Sequence, residues 1–362
     1  MPGKIGALTL AGYPAPNIVD VFLQQLIFHQ RCCTEQIAGN LAQGKNVGVF
    51  LGNFAVHHPD FAALHALAQD IARLSGGRFG ILGEAANSVG GYLAEALPRA
   101  GRDPFEPAHR AYLLVNVEPA LDCADPDRAL RALEHAALVV ALSPYQHAAD
   151  YAHVMLPISP FTETSGTFVN CEGRAQSFNG VVRPLGEARP GWKVLRVLGN
   201  LLELPGFDYE TSEAVRDKVL GAPGADLSAR LANGGSAVAA PTHGSPQAGS
   251  RAAPASAATG AGLQRIAEVP MYHADSIVRR APSLQATADA RRSARVTVSG
   301  ATAVRLGLKD GERARIRRDS GEAVLPVAID DRLPDDCARI PTALASTAAL
   351  GPAHGRVTVE RA

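Results

Sequence analysis

The 362 residues suffice for two domains with cores of their own. The 35 basic and 35 acidic residues cancel, with no long run of one sign, so the basic excess that a nucleic-acid-binding surface carries is missing and no nucleic acid partner is expected. No apolar stretch approaches the ~18–20 residues that span a bilayer, and the first ten residues lack the apolar core of a signal peptide, so a cytoplasmic chain without membrane insertion is expected.

Residues 17–29 carry Ile18, Val21, Phe22, Leu26 and Ile27 at helical spacing, which predicts a packing helix. Strands and helices then alternate. Asn46–Leu51 reads as an apolar strand, Asp60–Leu74 as a helix and Arg78–Leu82 as a second strand. Asn87 or Ser88 is placed to cap a helix that runs towards Leu97. Ala111–Val117 is a third strand. Asp125 caps a helix with Pro126 in its first turn, and strands follow at Leu138–Leu142 and Val154–Leu156. Apolar strands separated by helices indicate a doubly wound, mostly parallel α/β sheet. No dinucleotide or phosphate-loop glycine motif accompanies it: Gly44-Lys45 precedes a strand rather than a helix.

His153 to Gln176 passes from the last of these strands into a long run of small and polar residues. Such a loop, past the carboxyl end of a parallel strand, is where open α/β sheets place ligands. Trp192–Leu204 is a helical pattern with Trp192 as a packing anchor. Residues 221–262 are dominated by Ala, Gly, Ser and Pro and predict a flexible linker. Beyond it, Arg295–Ser299, Arg313–Arg317, Ala323–Ile329 and Ala338–Ile340 read as short strands, with a helix at Ala303–Leu306 and a hairpin signal at 319–321. Together these predict a small β-barrel. The expected division is an α/β domain over 1–220, the linker over 221–262 and the barrel domain over 263–362.

The five cysteines are scattered, with no C-x-x-C, so neither a disulfide framework nor a cluster or zinc cage is implied. Cys32 and Cys33 read as small apolar side chains on a helix, and Cys171 as a small buried residue. His57, His58 and His65 read as polar residues around a helix entry, since no third metal ligand accompanies them. His147, Asp150 and His153 lack the nucleophile that a hydrolase group would need.

The pattern E-x-x-G-T-x-x-N-x-E-G-R-x-Q, from Glu163 to Gln176, resembles the signature loop of the molybdopterin oxidoreductase superfamily. The continuation Ser177–Leu202, together with GEAANSVG (83–90), YAHVMLP (151–157), VRRAPSLQ (278–285) and TADA (287–290), resembles the G subunit of NADH:quinone oxidoreductase, respiratory complex I. The resemblance implies a partial molybdopterin oxidoreductase fold plus a C-terminal double-psi barrel. It also implies that the iron–sulfur clusters belong to an N-terminal portion this sequence lacks. The family usually has Asp where His153 stands.

In molybdenum-bearing relatives the signature loop holds the pterin. Here Gly166 and Gly173 would allow close backbone approach, and Thr167 and Asn170 would offer hydrogen bonds. Glu163, Glu172, Arg174 and Gln176 belong to the same loop, with Glu163, Arg174 and Gln176 bracing it. For the complex I branch the resemblance implies a vestigial loop, whose residues pair with each other and with the backbone, and neither molybdopterin nor metal in this chain. The expected function is a structural and assembly portion that supports electron transfer from NADH to quinone. Expected partners are the other peripheral-arm subunits and the missing N-terminal part, on the cytoplasmic face of the inner membrane. The alternative is the second half of a molybdopterin-dependent enzyme such as a formate dehydrogenase, binding the pterin through residues 163–176.

Overall fold

A computed structural model describes residues 35–83, 85–98, 103–222, 224–231, 262–319 and 321–362. The expected helix at 17–29, the Cys32–Cys33 pair and all but the two ends of the expected linker lie outside these residues. The described residues fall into two compact units: 35–82, and 83–231 together with 262–362.

In the first unit, β1 (Gly48–Leu51) and β2 (Arg78–Ile81) pair in parallel, with Val49 opposite Phe79. Parallel neighbours need a crossover, and α1 (Phe61–Ser75) supplies it. Its small residues Ala68 and Ala72, one turn apart, are its buried positions. The helix ends where Gly76 takes a left-handed φ of 64°, a conformation that costs glycine little.

The second unit begins with a short helix, Ser88–Leu93, that stops well before the expected Leu97. Gly90 and Gly91 lie inside it and weaken it, and Glu95 turns to a positive φ just beyond. Three strands follow: β3 (Ala111–Val115), β4 (Leu138–Ser143) and β5 (Val154–Pro157). They form a parallel sheet in the order β3-β4-β5. Between β3 and β4 lie α2 (Pro119–Asp122) and α3 (Pro126–Glu134). Asp125 caps α3 as expected, accepting from the Arg128 N–H. Leu133 of α3 and Ala136 pack with Leu114, Val139, Ala141 and Ala148 into one core cluster. The five expected strands therefore all form and all run parallel to their partners, divided between a two-stranded and a three-stranded sheet.

The signature stretch is not a simple loop. β6 (Gly166–Val169) and β7 (Ala175–Phe178) form an antiparallel hairpin, followed by α4 (Gly191–Leu201) and α5 (Ser212–Leu220). The many small residues concealed two short strands whose turn is built from Asn170 and Gly173.

The C-terminal part contributes β8 (Leu263–Ile266), β9 (Val296–Val298), β10 (Arg313–Arg318), β11 (Gly321–Ile329), β12 (Cys337–Arg339) and β13 (Arg356–Arg361). These close into a six-stranded barrel in the order β10-β11-β9-β12-β8-β13. Between β8 and β10 lie α6 (Ser276–Arg279) and α7 (Gly300–Leu306). Inward positions alternate: Ala314 and Ile316 from β10, Ala323, Leu325 and Val327 from β11, Val357 and Val359 from β13. The strands β8 and β13 had no expectation in the sequence. The β11–β9 and β12–β8 pairs are parallel, so this is not a simple meander.

Candidate functional site

The chain leaves the parallel sheet at the carboxyl end of β5 and reaches the hairpin through a short helical turn, Phe161–Glu163. The hairpin's own turn is organised by Asn170. The Asn170 carboxamide oxygen accepts from the N–H groups of Glu172 (3.0 Å) and Arg174 (2.9 Å). The Asn170 N–H donates to the Arg174 carbonyl, and the Gly173 N–H to the Asn170 carbonyl. Gly173 holds φ at 82°, and a Cβ there would also strike Leu231. Thr167 shares a hydrogen bond of 2.9 Å with Ser177 across the two strands. A Cβ on Gly166 would run into the Phe178 ring at 2.7 Å. Upstream, the Glu163 carboxylate accepts from the Leu185 N–H at 3.0 Å and so ties the entry to the segment that returns beside it.

Outside partners complete the frame. Asn87, expected as a helix cap, instead accepts from the Val169 N–H at 2.8 Å. Val169 is buried with Leu93 and Leu227, and Arg216 of α5 donates to Ser177. Glu172, Arg174 and Gln176 are exposed, and among the described residues their side chains make no hydrogen bond or ion pair, so the bracing expected of Arg174 and Gln176 is not found there. Cys171 is also exposed, not buried: it sits in the turn between β6 and β7.

The histidines do not assemble. His153 lies at the amino end of β5, where its Nδ1 accepts from the Val139 N–H at 3.0 Å. The side chain at this position therefore bears on strand docking rather than on the carboxyl end of the sheet. His147 faces the Tyr151 hydroxyl at 3.1 Å, and Asp150 is exposed. In the first unit, the His58 ring accepts from the Asp60 N–H and His65 packs edge-on against Phe79 at 4.9 Å. Among the described residues, no three His, Cys, Asp or Glu side chains converge to hold a metal ion.

Two family models match the sequence: molybdopterin oxidoreductase over residues 34–201, and the molybdopterin dinucleotide binding domain over residues 263–361. The chain carries a molybdopterin oxidoreductase domain followed by a molybdopterin dinucleotide binding domain. It is similar to the NADH-quinone oxidoreductase G subunit of Mycobacterium bovis, 31% identical over 261 residues, or 69% of this chain and 30% of the relative. The Streptomyces coelicolor G subunit is 29% identical over 265 residues, 69% of this chain and 28% of the relative. A Staphylococcus aureus protein designated a putative formate dehydrogenase is 41% identical, but over only 73 residues, 20% of this chain and 7% of that one. Among solved structures, acetylene hydratase from Pelobacter acetylenicus aligns with a TM-score of 0.47 at 18% identity, covering 70% of this chain and 44% of that one. The chain thus spans under a third of the length of the G subunits it matches.

The family's name implies a molybdopterin, and the hairpin can be tested for its fit to one. Three of its polar side chains are engaged at home: Asn170 by its own turn, Thr167 by Ser177, Glu163 by Leu185. The space that glycine leaves at positions 166 and 173 is filled by Phe178 and Leu231 of the same chain. Glu163, Gly166, Thr167, Asn170 and Gly173 therefore do not fit the role of a pterin cradle, while Glu172, Arg174 and Gln176 stay exposed.

Sequence reasoning missed a second polar centre in this unit. Arg280 clasps Glu118 through two hydrogen bonds of 2.7 and 3.0 Å, while its guanidinium lies 4.1 Å from the centre of the Tyr145 ring. Arg279 stands 3.5 Å from Glu118 and also bonds Asp122. The Glu118 and Arg279 side chains are only 8% and 6% exposed, so this is a buried ion pair network. Burial pushes the Glu118 carboxyl up, but its hydrogen bonds to Arg280 and the charges of Arg280 and Arg279 outweigh burial and hold it below its ordinary value. Burial, reinforced by Glu118, raises the Tyr151 hydroxyl to about 12, and burial lowers the His147 ring. The adjacent Arg279-Arg280 pair was visible in the sequence, but its partner lies 162 residues away.

Proposed function

We propose that the chain is a structural and assembly portion of an NADH:quinone oxidoreductase, equivalent to part of its G subunit. It supports electron transfer from NADH to quinone without carrying a redox centre itself. The observation that carries this reading is the combination of a G-subunit match over 69% of the chain with a signature stretch in which Asn170, Thr167 and Glu163 bond within the chain's own fold. The residues Glu163, Gly166, Thr167, Asn170, Glu172, Gly173, Arg174 and Gln176 are then a vestigial pterin-like loop kept as a folding element. On this reading the α/β domain occupies 1–220, a linker 221–262 and the barrel domain 263–362.

The partners would be the cysteine-rich N-terminal portion of the same subunit and neighbouring peripheral-arm subunits, at the cytoplasmic face of the inner membrane. Among the described residues, no helix is long and apolar enough to cross a membrane. Affinity purification from the source cell tests this. Respiratory subunits should be recovered in constant ratio, with NADH:quinone activity in the pulled-down complex; recovery of the chain without them would contradict the proposal.

A second reading has one observation in its favour, the local match to the Staphylococcus aureus protein. On that reading the chain completes a molybdopterin enzyme such as a formate dehydrogenase. Pterin extracted in equimolar amount from the purified complex would decide for it.

A further inference from the structure

The chain leaves the barrel at Ile266, the end of β8, and re-enters it at Val296, the start of β9. Both ends of this excursion are fixed. The Glu268 carbonyl accepts from the Thr342 N–H at 2.8 Å and from the Thr342 hydroxyl at 3.1 Å, and Pro270 and Ala290 are buried. Between them, over residues 271–289, no residue is buried as a whole, and none of the apolar side chains joins a core cluster. The bonds inside this stretch are local. Asp275 caps α6 by accepting from the Ile277 and Val278 N–H groups. The Gln285 carboxamide donates to the Tyr272 and Val278 carbonyls, and Arg279 Nε to the His273 carbonyl. Among the described residues, every hydrogen bond or ion pair from 271–289 to a residue outside the excursion is made by Arg279 or Arg280.

The groups that receive those two arginines lie past the carboxyl ends of parallel strands. Glu118 follows β3 by three residues, and Tyr145, under the Arg280 guanidinium, follows β4 by two. This edge is where open α/β sheets take ligands. Here it is occupied by the chain's own cations. In a buried ion pair desolvation offsets much of the attraction, so the tie holds one geometry without the depth of an apolar core. A segment held in that way, with no share in a core and no strand pairing, is set to open well below the free energy of global unfolding.

We propose that residues 271–289 form a lid at the carboxyl ends of β3 and β4, latched by the Glu118 and Asp122 pairs with Arg279 and Arg280, and released as a unit while the barrel and the sheet stay folded. Pro270 and Ala290 mark its two anchored ends. Access to this edge of the sheet then requires release of the latch. The lid rests only on contacts within the second unit, so it stands whether or not the chain serves an NADH:quinone oxidoreductase.

Hydrogen exchange of the full chain, read by mass spectrometry over a series of low urea concentrations, tests the lid, at a protein concentration where sedimentation shows no association. The hydrogen-bonded amides at 279–281 and 284–287 should exchange together, about a hundredfold or more faster than those of β10 and β11. Their opening should depend on urea much less steeply than that of the barrel, because it exposes little surface. E118Q should speed the same amides about a hundredfold further, and trypsin should cut it after Arg280 faster than it cuts the wild type while circular dichroism stays native. If E118Q does not fold, D122N, which removes only one arm of the latch, should speed those amides several-fold. Exchange of 279–287 at the barrel's rate and with the barrel's urea dependence, or no acceleration in a folded E118Q or D122N, would overturn the proposal.

Discussion

Glu118 is the carboxylate on which the second unit's electrostatics turn. It is buried and held between two arginines that come from the other side of the barrel strand β8 in sequence. Removing one partner of a buried pair costs about 3–5 kcal/mol, because the remaining charge is stranded. Arg280 keeps a third of its surface in water, so E118Q should sit at the lower end, about 3 kcal/mol less stable by urea unfolding. The pH dependence has a definite sign. Since the folded state lowers the Glu118 pKa, its contribution is complete above the ordinary carboxylate value and is lost as pH falls below about 4.5. Wild-type stability should therefore drop more steeply on acidification than that of E118Q, and parallel curves would show that Glu118 is not the titrating group. Asn170 gives a second test at this scale. Truncating it removes two acceptor bonds from the turn, so N170A should lose about 1–2 kcal/mol. Hydrogen exchange should quicken at residues 166–178 before it does in the barrel.

The elements were legible wherever one periodicity ran long enough to read. The strand at 111–115, the Asp125 cap with Pro126, and the β10–β11 pair all follow from alternation, a capping side chain and a turn signal local to the chain. The signature hairpin was not legible in this way. Its strands are four residues each, their small residues read as loop, and their pairing depends on a turn closed by Asn170 and a left-handed Gly173. The same holds for β8 and β13, which lie at opposite ends of the barrel sequence, and for Asn87, whose partner Val169 is 82 residues on. The ligand-like residue types of the loop were visible in sequence. Their engagement with one another was not, because hydrogen-bond partners are a property of the fold. G173A tests the hairpin as an element: the left-handed φ and the contact with Leu231 should cost about 1–2 kcal/mol or more. In the barrel, Ile316 is wholly buried, and I316A should cost about 2–5 kcal/mol with barrel and hairpin protection falling together if the second unit is cooperative.

At the scale of the molecule, the parallel sheet carries an apolar face that the described residues leave open. Leu113, Val140 and Val154 stand in one register row, with Leu113 and Val154 more than 40% exposed, and Leu156 beside them is also exposed. Parallel strands are ordinarily covered on both faces, so the isolated chain should associate or aggregate at micromolar concentration in sedimentation velocity. A stable monodisperse monomer would contradict that expectation. The most direct test of the central claim, a family fold retained for shape with its signature hairpin closed on itself, is molybdenum and pterin analysis of the chain purified in its native complex. The account predicts an intact complex with neither component attributable to this chain, and N170A and T167A changing stability but not cofactor content. Equimolar molybdopterin that is lost in those two variants would contradict it.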